Sequence, residues 1–194
     1  MRGLLEVHAV GYAKVKVESP VSHGVPKPVN VKLGRGVLIT GRVLQNGTAV
    51  PGVTMAASQI DRGAQTFVDE VEAVTSANGT FQIWCVPPKD KIALYGTMES
   101  LASMGAPPLR VMDTGADDTT CDVGDLEIQK AGTLNGRLHI TDGTSLPPET
   151  RVILSREKAW DSVVVPVGAD GHFSVHGIPL GEGISLSLPR DYDG

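Results

Sequence analysis

The five histidines, His8, His23, His139, His172 and His176, are the first places to look for chemistry in this chain. A zinc peptidase needs a His-x-x-Glu pair and a more distant histidine. None of the five has glutamate three residues on. His139 comes nearest, with Asp142 at that distance, but Asp142 opens an Asp-Gly turn and is accounted for by it. His172 and His176 share one face of a predicted strand, where four residues of rise separate them by ~13 Å. That separation does not suit chelation of a single zinc. Neither a Gly-x-Ser-x-Gly elbow nor a phosphate loop occurs. The sequence therefore reads as a non-enzyme with no bound cofactor.

Three other groups of residues could hold a ligand or a cross-link. The stretch 113–125 carries five carboxylates, of which Asp113, Asp117, Asp118 and Asp122 are candidate Ca²⁺ ligands, since calcium takes six to eight oxygens. Their spacing is not that of an EF-hand, and a solvated acidic loop is the simpler reading. Cys85 and Cys121, if bonded, would close a loop worth up to about 4 kcal/mol on the chain-entropy model. Cys85 reads equally well as a small buried apolar side chain, facing inward with Phe81 and Ile83. Trp160, in a loop, and Trp84, on the outward face of a strand, are the candidates for stacking on a sugar ring.

The elements that position these residues are announced by turns. Asn46-Gly47-Thr48-Ala49-Val50-Pro51 is echoed by Asp142-Gly143-Thr144-Ser145-Leu146-Pro147, and Asn78-Gly79-Thr80-Phe81 by Asp170-Gly171-His172-Phe173. Such Asn-Gly and Asp-Gly pairs between alternating apolar residues predict type I′ hairpin turns. Two of the pairs also match the glycosylation sequon, but Asp stands in both repeated positions, so turn chemistry is the better explanation. The repeat extends to Gly41-Arg42-Val43 with Gly136-Arg137-Leu138, to Val31-Lys32-Leu33 with Leu126-Glu127-Ile128, and to Val86-Pro87 with Ile178-Pro179.

A single β-module copied in tandem accounts for these matches. Residues 34–128 read as one complete module, with strands over 37–44, 50–58, 67–75, 79–86, 91–98, 107–113 and 123–128. Residues 129–194 read as a second module lacking its last strands. Residues 1–33 read as the C-terminal strands of a preceding module, or as strands completing module two. On this reading the chain is a piece of a longer protein. The predicted core is Val43, Val53, Phe81, Ile83, Ile92 and Leu94 in the first module. In the second it is Leu138, Val152, Phe173, Val175, Ile184 and Leu186. One helical turn is expected at 99–104, stopped by Gly105 and Pro107.

Composition agrees with this organisation. A hydrophobic share of 41% with 20% charged residues is that of an ordinary globular chain, and 23 glycines with 13 prolines imply many turns. A net charge of −5 disfavours nucleic acid and anionic membrane surfaces as partners. No run of 18 apolar residues is present, so membrane insertion by a helix is not expected. The opening Met1-Arg2-Gly3-Leu4-Leu5-Glu6-Val7-His8 does not read as a signal peptide, because Glu6 and His8 interrupt the apolar segment.

The set Gly-Arg-Val/Leu, Asn/Asp-Gly-Thr-x-Val/Leu-Pro and Asn/Asp-Gly-x-Phe resembles the carboxypeptidase regulatory-like domain, a transthyretin-like or Cna-B-like sandwich. Val7-His8-Ala9-Val10-Gly11-Tyr12-Ala13 resembles the family's late strand. The resemblance implies an all-β fold of tandem seven-stranded Ig-like, prealbumin-like modules. It further implies a structural or interaction role, as spacer or adhesive repeats of a larger secreted or cell-surface protein. The expected partners are neighbouring repeats, a polysaccharide or another surface protein. Two alternatives stand beside it: a carbohydrate-binding module using Trp160 or Trp84, and the accessory lobe of a truncated zinc carboxypeptidase-like enzyme.

Overall fold

A computed structural model of the chain describes residues 3–19, 21–22, 25–26, 28–63 and 67–189; His23 lies outside them. The N-terminal segment holds β1 (Gly3–Val7), β2 (Val15–Ser19), β3 (Val21–Ser22) and β4 (Val25–Pro26). β1 pairs with β2, and β3 with β4. Among the described residues these strands join no other sheet, so they do not extend the sheets of 131–187.

The central part contains β5 (Val37–Gln45), β6 (Thr48–Ala49), β7 (Thr54–Gln59), β8 (Glu70–Val74), β9 (Thr80–Val86), β10 (Lys91–Gly96), β11 (Arg110–Asp113) and β12 (Thr119–Glu127). One sheet runs β11-β10-β7-β8. The other is centred on β5, with β9 antiparallel on one side, β12 parallel on the other and β6 hairpinned onto its end. The inward alternation of β9, Phe81 and Ile83, meets Val43, Val53, Ile92 and Leu94 in one core between the sheets. The predicted first core is thus correct in every member.

β7 and β10 are buried on both faces. Their inward residues Met55, Ala57, Ile92 and Leu94 join the main core, while Ala56, Ala93 and Tyr95 form a second cluster with Ala159 from further along the chain. Small side chains on the outer face let that later segment approach closely.

A short helix α1 (Met98–Leu101) and a 3₁₀ turn (Ala102–Met104) follow β10, at the place expected from sequence. Then come β13 (Ala131–Arg137), β14 (Arg151–Arg156), β15 (Ser162–Pro166), β16 (His172–Pro179) and β17 (Ile184–Ser187). They form a β13-β16 sheet and a β15-β14-β17 sheet around Val152, Leu154, Phe173, Val175 and Ile178. Leu138 and Ile184 are only partly buried, and Leu186 is 44% exposed, so it is not core. Among the described residues the opposing sheet has two strands, and nothing in it covers the β17 edge.

Two sequence expectations are corrected. Of the four turn pairs, only Asn46-Gly47 has both central residues at positive φ (51° and 75°), as a type I′ turn requires. In the others the glycine alone is positive. The 78–79 and 170–171 turns link strands of different sheets, so the twist-matching that favours type I′ does not apply to them. Cys85 does not face inward with Phe81 and Ile83. It stands at φ 63° in a bulge, where the single residue between Val37 and Ile39 faces two residues between Ile83 and Val86.

A bulge of the same form occurs in β16. Gly177, at φ 76°, occupies the same place in β16, between Thr133↔His176 and Gly132↔Ile178. A second shared feature lies one turn away. Gly41 pairs with Phe81 and Gly136 with Phe173, and in each pair the ring lies over the glycine. A Cβ on Gly136 would stand 2.2 Å from the Phe173 ring, which explains the Gly-Arg motif.

Candidate functional site

The densest polar cluster among the described residues joins the two halves of the fold. Arg156, at the end of β14, is 2% exposed. Its Nη1 donates to the Gly96 carbonyl at 2.9 Å and to Asp161 at 3.0 Å. Its Nε and Nη2 form a two-pronged contact with Glu182 at 2.8 and 2.7 Å. The guanidinium also lies 5.1 Å from the Tyr95 ring centroid. This is the fork geometry that arginine offers and lysine does not.

Asp161 is the second hub. Besides Arg156, it accepts the Met98 N–H at 3.0 Å. Burial pushes its carboxyl above the ordinary carboxylate range, against the pull of that N–H and of Arg156. The Tyr95 hydroxyl accepts the Trp160 N–H at 3.0 Å and donates to Glu70. Burial pushes Glu70 up to about 7; the Tyr95 bond opposes this, and Glu72 and Asp161 add to it. Burial and the Glu70 carboxylate raise the Tyr95 hydroxyl well above its usual range.

The structure separates the other candidates. Trp160 packs on Phe67, with ring centroids 4.9 Å apart, and under Arg62 at 5.4 Å, yet stays 53% exposed. Trp84 is 59% exposed. Asp117 accepts the Gly36 N–H at 2.7 Å, Asp122 accepts the Gly124 N–H at 3.0 Å, and Asp113 lies opposite Lys91. Among the described residues no three His, Cys, Asp or Glu side chains converge on a metal-sized site. Asp118, at φ 61°, sits apart in the loop entering β12.

Cys85 and Cys121 are both free, which corrects the suggested disulfide. β5 lies between their strands, so their backbones are two strand spacings apart, roughly 9–10 Å. A disulfide needs less than about 7 Å between Cα atoms. Two of the histidines, His172 and His176, are taken up locally. The His172 ring and backbone N–H hold the Asp170 carboxyl below its usual range, and His176 contacts Thr133 and Ser174.

Sequence reasoning missed Arg156, Asp161, Glu182 and Tyr95. Arg156 stands at a strand end, and no local pattern announces a partner 60 residues away.

No protein-family model matches the chain, and no curated protein matches it. Among solved structures it is similar to a streptococcal ancillary pilin, at 11% identity and a TM-score of 0.32, over 96% of this chain and 65% of the pilin chain. It is also similar to the Bacillus anthracis TIE protein, at 13% identity and a TM-score of 0.32, over 91% of this chain and 35% of that one. The chain spans less than two thirds of either. The all-β assignment rests on this chain's own strands.

Proposed function

We propose that this chain is a non-enzymatic structural element, a run of β-sandwich modules that holds a fixed spacing within a larger secreted or surface protein. The buried joint is the observation that carries this reading. A spacer works by keeping successive units in one orientation, and a flexible link of a few residues would not do that. Here Arg156 bonds across the junction to the Gly96 carbonyl, and Met98 fills the core beyond it. A buried ion cluster is weak evidence of net stability, and the role this reading gives Arg156 is to fix one orientation of the halves.

The shared bulge at Cys85 and Gly177, and the shared glycine–phenylalanine pairs, support two copies of one module. They fit the resemblance to the carboxypeptidase regulatory-like domain. The His172 contact with Asp170 and the Trp160 contact with Phe67 fit this reading.

Residual dipolar couplings on the full chain test the reading. One alignment tensor should fit the amides of both 37–127 and 131–187. Two independent tensors would mean that the halves tumble separately and would remove the basis for a rigid spacer.

A further inference from the structure

The outer face of the sheet centred on β5 is organised in rows. Gln82, Thr40 and Asp122 stand side by side across β9, β5 and β12, as do Thr80, Arg42 and Asp125 in the next row. At the other end Leu38 lies beside Thr120, with Trp84 next to them on β9. The opposite face of the same strands is core, with Ile39, Ile83 and Phe81 each 2% exposed or less. From Trp84 to Thr80 the face runs ~13 Å, the length of a short oligosaccharide.

At the Trp84 end the face deepens into a groove of about 420 Å³, lined among others by Arg35, Leu38, Trp84, Asp118, Thr119 and Thr120. That volume falls within the range of small-ligand sites. Two of the non-glycine residues at positive φ, Cys85 and Asp118, line this groove. Such backbone is costly and collects at ligand clamps. The fold does not require Trp84, because the equivalent position in β16 holds His176.

The chemistry of the face selects the ligand. Its ionised groups are largely matched: Arg42 forms two bonds to Asp125 at 3.0 and 2.8 Å, and Asp122 accepts the Gly124 N–H. Arg35 lies 4.6 Å from the Tyr12 ring centroid and faces a groove that also contains Asp118. Such a surface carries little net charge and so favours an uncharged ligand over an anionic or cationic one. Trp84 and Leu38 are its only large apolar members, a small patch for docking a protein but enough for one sugar ring. Gln82, Thr40 and Thr120 offer an amide and two hydroxyls, groups that can both donate to and accept from ring hydroxyls.

We propose that this face is a binding platform for a neutral polysaccharide, with one pyranose ring stacked on Trp84 and the neighbouring rings lying over Gln82 and Thr40. The proposal is independent of the spacer reading, since a rigid rod with or without a ligand would have the same joint.

The test is affinity electrophoresis of the full chain in gels containing β-glucan, xylan, glucomannan or galactomannan, with alginate as an anionic control. It is followed by calorimetry with the matching hexasaccharide. Retardation is expected in at least one neutral gel. Trp84→Ala should weaken the binding by at least about tenfold, Gln82→Ala should weaken it less, and Trp160→Ala should leave it unchanged. Circular dichroism melts of each variant show whether the fold is kept. Migration unaltered by every neutral polysaccharide overturns the proposal. So does retardation that survives Trp84→Ala, or retardation by alginate alone.

Discussion

Met98 and Leu101, three residues apart on one helical turn, are buried in two different hydrophobic cores. Leu101 closes the core between the first pair of sheets, and Met98 enters the core of the second pair. Residues i and i+3 on a helix are neighbours, so a single turn of backbone ties the two cores together. Arg156 reinforces the tie from the far side, through Gly96 and through Asp161, which also accepts the Met98 N–H.

Arg156→Ala should destabilise the chain by about 3–5 kcal/mol, because Asp161 and Glu182 would stay buried without their partner. Arg156→Lys should recover only part of this, since an ammonium cannot contact Gly96, Asp161 and Glu182 together. Urea unfolding followed by the fluorescence of Trp84 and Trp160 measures both. A loss under about 1 kcal/mol for Arg156→Ala would mean that the joint is wetter than its burial indicates.

Phe173→Ala and Phe81→Ala should each cost about 3–5 kcal/mol, by removing a ring from each core. Gly136→Ala addresses the same contact from the other side. Its new methyl would meet the Phe173 ring and displace it, at a cost of about 1–3 kcal/mol. Thermal melts that leave Gly136→Ala at the parental midpoint would contradict the ring-over-glycine packing.

The repeated bulge predicts opposite responses to exchanging its two residues. Cys85→Gly should be neutral or slightly stabilising, because it relieves a non-glycine residue at φ 63°. Gly177→Cys should destabilise by more than about 1 kcal/mol, since a Cβ there would lie 2.1 Å from the Ala102 carbonyl. The bulge at Gly177 is where the segment after α1 presses against β16, so this variant also loosens the joint. Equal effects of the two substitutions, measured by denaturant midpoint, would count against this account.

Stability should decline between about pH 5 and pH 8. Glu70 titrates near 7 in the folded chain against an ordinary 4.5, so the fold binds the extra proton. Its contribution is complete below about pH 4.5 and disappears as pH rises through 7. Asp161, raised by burial, acts in the same direction. Glu70→Gln keeps a polar group for Tyr95 and should flatten the decline. A wild-type melting temperature that rises from pH 5 to pH 8 would refute this assignment.

Much of the strand pattern and the six predicted members of the first core were legible because they rest on local rules. Alternation in Phe81-Gln82-Ile83 assigns faces, and glycine at the turns marks reversals. The errors arose where a neighbour outside the local segment decides. The bulge turned Cys85 out of the alternation, and the two-stranded opposing sheet left Leu186 uncovered. Turn type followed whether the flanking strands share a sheet, which the dipeptide does not encode.

The sequence by itself determined an all-β chain, through side-chain period and turn chemistry acting over a few residues. Tertiary structure alone decided that Arg156, Asp161, Glu182 and Tyr95 form one buried joint, that Trp160 packs on Phe67, and that Cys85 and Cys121 stand on opposite sides of β5. Apart from Arg156 and Asp161, five positions apart, the contacts join residues 26 to 93 positions apart. Their energies depend on burial and on the orientation of whole sheets, and neither quantity is a property of a local run of residues.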